Sequence, residues 1–277
     1  MSTQPFPYLL LPTLWAVRNR ARRREKGDTA RVAVFGGIAV LVGAAIFGVV
    51  FWLVWQLLDY AELGDYLIRL GLSWLFLTFL SFLAFSGIVT SLSTFFLSED
   101  LRLLLAAPVS RDRLFYSRFA KTASQASWMV VTFLAPVVMG VGLARCAGPG
   151  YYLTAVLTLI PFVVIPVAIG SVVTLVLVNV FPARRARDVL TLMGLLFAMA
   201  IVILLRVLRP ERLLRVESLP DIAAFFATLQ SPVTPALPSF WAGETLFAAL
   251  QGSHDWLHAL SLWTTALAFL VLARAAF

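Results

Sequence analysis

Long apolar runs separated by short clusters of charge set the pattern of this chain. The runs lie at about 32–58, 70–97, 122–144, 152–181, 189–205 and 257–273. A bilayer-crossing helix needs roughly 20 apolar residues, with about 17 as the lower limit. A lone strand in lipid leaves its backbone groups unpaired, so these runs are expected to be helices. The short alternating segments of a membrane β-barrel do not occur. The pattern predicts an all-α polytopic membrane protein: one transmembrane domain over residues 1–277, with six transmembrane helices.

The interruptions are as informative as the runs. In residues 1–31, Pro5, Pro7 and Pro12 precede Leu14, Trp15 and Val17, and then Arg18, Arg20, Arg22, Arg23 and Arg24. An apolar side with a basic end predicts an amphipathic helix on the membrane surface, its arginines facing anionic headgroups. Between runs two and three, residues 98–121 carry Glu99, Asp100, Arg102, Arg111, Asp112, Arg113, Arg118 and Lys121. Ser98 suits a helix cap, with Glu99 and Asp100 in the first turn. Pro108 stops that helix near Ala107, and Ser110 suits the cap of a second helix running into the third span. Residues 206–256 hold two short apolar helices, one within 220–229 and one from Ala242 to Leu250. Each is too short to cross, and both are expected to be re-entrant or interfacial on the outer side.

Charge changes the picture in one respect. The net charge of +8 could point to nucleic acid, but basic residues in a membrane protein mark its cytoplasmic side. With the amino terminus inside, 16 of the 22 Lys and Arg fall on cytoplasmic segments. That places both termini in the cytoplasm and residues 98–121 on the side where ATP is found. Cys146 is the one cysteine, so no internal disulfide can form. The first 30 residues lack the apolar core and cleavage site of a secretory signal.

Several motifs are missing. No Gly-x-x-x-x-Gly-Lys-Ser/Thr run occurs, so the chain is not expected to hold ATP phosphates itself. Neither His-Glu-x-x-His nor Gly-x-Ser-x-Gly is present. His254 and His258 share a helix face, and Glu244 or Asp255 could add a carboxylate to a metal site. The reading preferred from sequence is two interfacial histidines and no metal. Buried charges that would mark an ion-coupled path are scarce; Arg69 and Arg206 lie at run ends, where they can snorkel.

Two stretches carry a family likeness: Ser98-Glu-Asp-Leu with Ala106-Ala-Pro-Val-Ser-Arg111, and Leu237-Pro-Ser-Phe-Trp-Ala242. With the order of elements, they resemble the membrane subunit of bacterial ABC-type exporters of the class called type V, an ABC-2-like permease. The resemblance implies a permease without its own catalysis, in the bacterial cytoplasmic membrane, coupled to a separate ABC ATPase subunit that binds ATP and Mg. It also implies a second permease copy or a paralogue as partner, membrane lipids around the spans, and no nucleic acid. The segment between spans two and three becomes a coupling helix docked on the ATPase through Glu99, Asp100, Leu101, Arg102, Leu104, Leu105 and Pro108. Pro238, Ser239 and Trp241 form an outer-side turn. Permeases of this kind are often longer, so the chain fits the amino-terminal half of one. Two other readings stay open: a membrane-embedded enzyme using His254, His258, Glu244 or Asp255, and a regulatory membrane protein without transport activity. Arg111, Arg113 and Arg118 fit either the docking segment or lipid phosphates.

Overall fold

A computed structural model describes residues 26–59, 61–95, 110–180 and 234–277, with six single positions between 191 and 202. The arginines at 18–24, the docking residues Glu99 to Pro108, most of the run at 189–205 and the short helix within 220–229 lie outside the described residues. All regular structure among the described residues is helical. In chain order the helices are α1 (Lys26–Leu57), α2 (Ala61–Phe95), α3 (Arg111–Ala144), α4 (Pro149–Val180), α5 (Pro238–Leu250) and α6 (Trp256–Ala276). A 3-10 turn, Thr234–Ala236, leads into α5.

Four stretches are long and apolar enough to cross a membrane: Val34–Leu57, Leu63–Thr94, Pro149–Val176 and Trp256–Ala276. α3 meets the same criterion as a bent pair, Arg111–Trp128 and Val130–Ala144, with 53° between the halves. The described residues therefore give four candidate spans, or five with α3, where the sequence predicts six.

The helices are longer than their apolar runs. α2 begins at Ala61 rather than 70 because Arg69, read as a boundary, lies inside it. α3 begins at Arg111, directly after Ser110 as the sequence predicts, and runs unbroken into the apolar stretch that starts at 122. A helix is set by its backbone hydrogen bonds, so it continues through polar turns beyond the apolar part. Ser110 occupies the predicted N-cap position of α3, but its side chain makes no capping bond. α5 begins at Pro238 rather than Ala242, with proline at the first helical position, where its missing N–H costs nothing.

α4 is the central helix. It packs against α2, α3, α5 and α6, while α1 packs chiefly on α3. The core runs along these contacts, with Leu83, Leu134, Phe162, Ile165, Leu246 and Leu262 enclosed. Phe76 of α2 meets Phe162 of α4 edge to face, centroids 5.0 Å apart. The tightest crossing is between α2 and α4, at Gly87 and Gly170. A Cβ on Gly170 would lie 2.7 Å from the Gly87 carbonyl carbon and 2.8 Å from the Ile88 nitrogen. Side chains beside it bond across: Ser91 and Ser171 hydroxyls are 3.1 Å apart, and Thr174 Oγ1 donates to the Ile88 carbonyl at 3.2 Å. Small residues four apart let backbones approach in this way. The glycines of α1 behave differently: Gly36, Gly37 and Gly48 have nothing within 4 Å of a built Cβ. Among the described residues these three glycines make no close crossing; α1 is approached instead at Phe47 and Val50, where a Cβ on Gly140 of α3 would lie 3.2 Å from the Phe47 carbonyl oxygen.

Candidate functional site

One end of the bundle gathers the α1–α2 turn, the α3–α4 turn and the α5–α6 turn. Two of these turns are made by the same device. α3 ends with Cys146 at φ 51°, the Cys146 N–H bonding the Leu143 carbonyl and the Ala147 N–H bonding the Gly142 carbonyl at 2.8 Å. α5 ends with Gly252 at φ 75°, and the Ser253 N–H bonds the Ala248 carbonyl at 2.9 Å. Both are left-handed helix stops that satisfy terminal carbonyls.

These stops deliver charged side chains to one place. Asp65 of α2 accepts from the Arg145 guanidinium, and Gln251 Nε2 donates to its second oxygen at 3.4 Å. One carboxylate thus ties α2 to the ends of α3 and α5. A turn deeper, Arg69 Nε and Nη2 donate to the two oxygens of Glu244, each at 2.6 Å. Glu244 is buried on α5, while the Arg69 side chain is half exposed. The pair is bidentate, the strong form of a charge-assisted contact. Arg69 therefore does not snorkel freely, as its position in the sequence implied; it clamps α5 to α2. α5 itself is packed among α2, α4 and α6, and Gly243 lets it sit against Ser73 of α2, where a Cβ would be 3.1 Å from the Ser73 Cα.

Asp255 opens α6. Its Oδ1 accepts from the His258 N–H at 3.2 Å, and its Oδ2 lies 2.5 Å from His258 Nδ1. Partial burial works to raise its pKa, but the hydrogen bonds from His258 outweigh that and hold the carboxyl below its ordinary value of 3.8. A group depressed in the folded state stabilises above its unfolded pKa, and that contribution fades as pH falls through the folded pKa. Asp255→Ala is expected to cost about 1 kcal/mol at neutral pH. In unfolding scans from pH 7 downward, the gap to the unmodified protein should hold to about pH 4 and close below it. A gap that closes between pH 7 and 5 would show that the capping bond is not the source.

The four residues weighed for a metal site in the sequence have other partners. Glu244 is held by Arg69, His258 by Asp255, and the His254 ring stacks on Trp256 with centroids 5.7 Å apart. Among the described residues no group of three or more His, Cys, Asp or Glu could hold a metal ion. Of the predicted turn, Pro238 starts α5, Ser239 is buried, and Trp241 Nε1 donates to the Pro235 carbonyl at 2.8 Å. These residues lie at the start of α5, away from Gln251 at its other end. The neighbouring Phe240 meets the His258 ring edge to face, centroids 5.6 Å apart, and so links this turn to the opening of α6.

Beside Asp255, a cavity of 340 Å³ lies between α4, α5 and α6. Leu153, Leu157, Leu260 and Trp263 supply apolar walls, and Ser253, His254 and Asp255 stand at its polar edge. The pocket and the arginine–carboxylate pairs were hidden from the sequence because their residues lie far apart in the chain. The one local signal was a lone Arg69 and a lone Glu244, each in apolar surroundings, since isolated opposite charges in such runs usually pair.

At the opposite end of the bundle, Arg118 is buried and its Nη1 donates to the Thr94 carbonyl at 3.1 Å. It is not placed to meet lipid phosphates, as the sequence allowed. Arg274 near the end of α6 clasps Asp112 of α3 at 2.9 and 2.8 Å.

No curated protein and no solved structure matches this chain. One family model does, described as putative ATP-binding cassette, over residues 23–276. That description supports the relation to ABC transporters and corrects three expectations. The function expected was a permease subunit served by a separate ATPase, the chain was expected to be no enzyme, and ATP and Mg were expected only in the partner. The family's description, an ATP-binding cassette, points to nucleotide use by the chain itself. The physical weakness was the inference from a missing glycine-rich loop, since helix N-termini and arginines also hold phosphates. The match begins before α1 and runs to the end of α6, and the chain belongs to this ATP-binding cassette family.

Proposed function

We propose that this chain works from within a membrane, as an ATP-using protein of transport. The observation that carries the reading is the outward face of α1. Phe35, Val40, Leu41 and Trp52 are each more than 60% exposed there, on a helix with no charge between Val34 and Leu57. Water would not tolerate an apolar face that long, whereas lipid matches it. The family supplies the ATP-linked transport half of the reading. The surplus of Lys and Arg in residues 1–31 and 98–121 supports cytoplasmic placement of those segments, in a bacterial cytoplasmic membrane, with both termini inside.

Two measurements test this. An alkaline carbonate wash of membranes should leave the chain in the pellet; release into the wash would end the membrane reading. Photolabelling of the purified chain with an azido-ATP and Mg should mark this polypeptide, and excess ATP should compete the label away. Label confined to a copurifying polypeptide would remove ATP use from this chain.

A further inference from the structure

The cavity between α4, α5 and α6 combines three properties that together define a ligand class. Its volume of 340 Å³ lies at the lower end of the range of small-molecule sites, roughly 300–1,000 Å³. Its body is apolar: Leu153, Leu157 and Leu260 line it, and each is also open to the outer surface. Its polar edge holds one carboxylate, Asp255, with the ring of Trp256 alongside.

The local charge selects the head of the ligand. The described ionisable groups at this end include four carboxylates, Asp59, Asp65, Glu244 and Asp255, two arginines, Arg69 and Arg145, and two histidines, His254 and His258. Both arginines are already engaged, with Glu244 and Asp65. The groups facing Asp255 are His258 on its own helix, His254 on the preceding turn and, at longer range, Arg69 of α2. The surplus is negative. An anionic head placed here would meet carboxylates, while an ammonium would meet Asp255 and aromatic faces, which attract cations.

We propose that this cavity takes one alkyl chain of an amphiphile with an ammonium head, the chain lying along Leu153, Leu157 and Leu260 and the head at Asp255. The site rests on the membrane reading, because its apolar side opens where lipid would lie. Such a molecule could be an amine-bearing lipid of the bilayer or a free cationic amphiphile; the shared chemistry is an alkylammonium.

The test uses the full chain in nanodiscs of a zwitterionic choline lipid. Binding of radiolabelled dodecylammonium is compared with that of dodecanol and laurate, all below micellar concentration. Saturable binding of dodecylammonium near one per chain is expected, with dodecanol and laurate at least tenfold weaker. Asp255→Asn keeps a capping side chain and should weaken dodecylammonium about tenfold in a protein that is at least as stable as Asp255→Ala. Leu157→Trp, which fills the cavity, should abolish binding. Adding an ethanolamine phospholipid to the nanodiscs separates the sources: competition identifies a bilayer lipid as an occupant, and its absence identifies a free amphiphile. Equal binding of dodecylammonium and dodecanol would overturn the assignment of the head. Binding unchanged by Leu157→Trp would overturn the site. A failed membrane reading shows itself separately, as release of the chain by carbonate.

Discussion

Gly170→Ala is expected to destabilise the protein by about 3 kcal/mol, and Gly170→Leu to prevent recovery of monodisperse protein. The added carbon meets backbone, not the end of a flexible side chain: 2.7 Å to the Gly87 carbonyl carbon and 2.8 Å to the Ile88 nitrogen. Neither atom can move without shifting a whole helix. Separating α2 from α4 also breaks the Ser91–Ser171 contact and the Thr174 bond to Ile88. Within lipid these matter more than buried area, because no water is released when apolar helices meet and packing must hold them together. Gly36→Ala is the control. Nothing lies within 4 Å of its built Cβ, and alanine is the better helix former, so that variant should be neutral or slightly more stable. Unfolding in a graded denaturing detergent, read by circular dichroism, compares the two. Equal effects would show that the α2–α4 crossing is looser than described.

The second large effect is expected at the clamp on α5. Arg69→Ala leaves the Glu244 carboxylate buried without its partner. Removing one member of a buried pair costs about 3–5 kcal/mol. The half-exposed Arg69 side chain places this pair at the lower end, about 3 kcal/mol. Glu244→Gln keeps the volume and removes the buried charge, so it should cost less. Arg69→Ala combined with Glu244→Gln should recover part of the loss, because no uncompensated charge remains. Arg69→Lys should not restore stability fully, since an ammonium cannot present two parallel donors to one carboxylate. Arg69→Ala within about 0.5 kcal/mol of the unmodified protein would show that the pair does not hold α5.

The existence of the helices was legible because apolar runs of this length leave the backbone few alternatives. Their ends were not. Arg69 marked a boundary by its charge, yet the helix passes through it, because a carboxylate on α5 accepts it. Pro238 was a readable start that the apolar count overrode in favour of Ala242. Ser110 was placed correctly at a helix start, although its hydroxyl does not bond there. The charged end was legible only in part: Glu244, His254, Asp255 and His258 stood out as candidate chemistry, but their folded partners did not. Asp65 meets Arg145 and Gln251, and Arg69 meets Glu244, only after folding brings distant turns to one end of the bundle. Local pattern carries no information about pairs so far apart. The missing phosphate loop misled for another reason: it is one solution to phosphate binding, and its absence spoke only of that solution.

Arg69 and Glu244 are 175 positions apart, and that separation is also a delay. Chains emerge at about 5–20 residues per second, so α2 is made roughly 9–35 s before its partner exists. During that interval the arginine lacks Glu244, and it must be sheltered by water, headgroups, the insertion machinery or Asp65 one turn away on the same helix. α5, with 13 residues, is too short to cross a bilayer unaided. It is delivered late, into a slot that α2 and α4 have already framed. The last element to be synthesised but one is thus the element that neutralises one of the first, and the clamp doubles as a checkpoint on assembly. A chain cut before residue 244 would leave α2 with an arginine that lacks Glu244, a mark by which membrane quality control can recognise an unfinished protein.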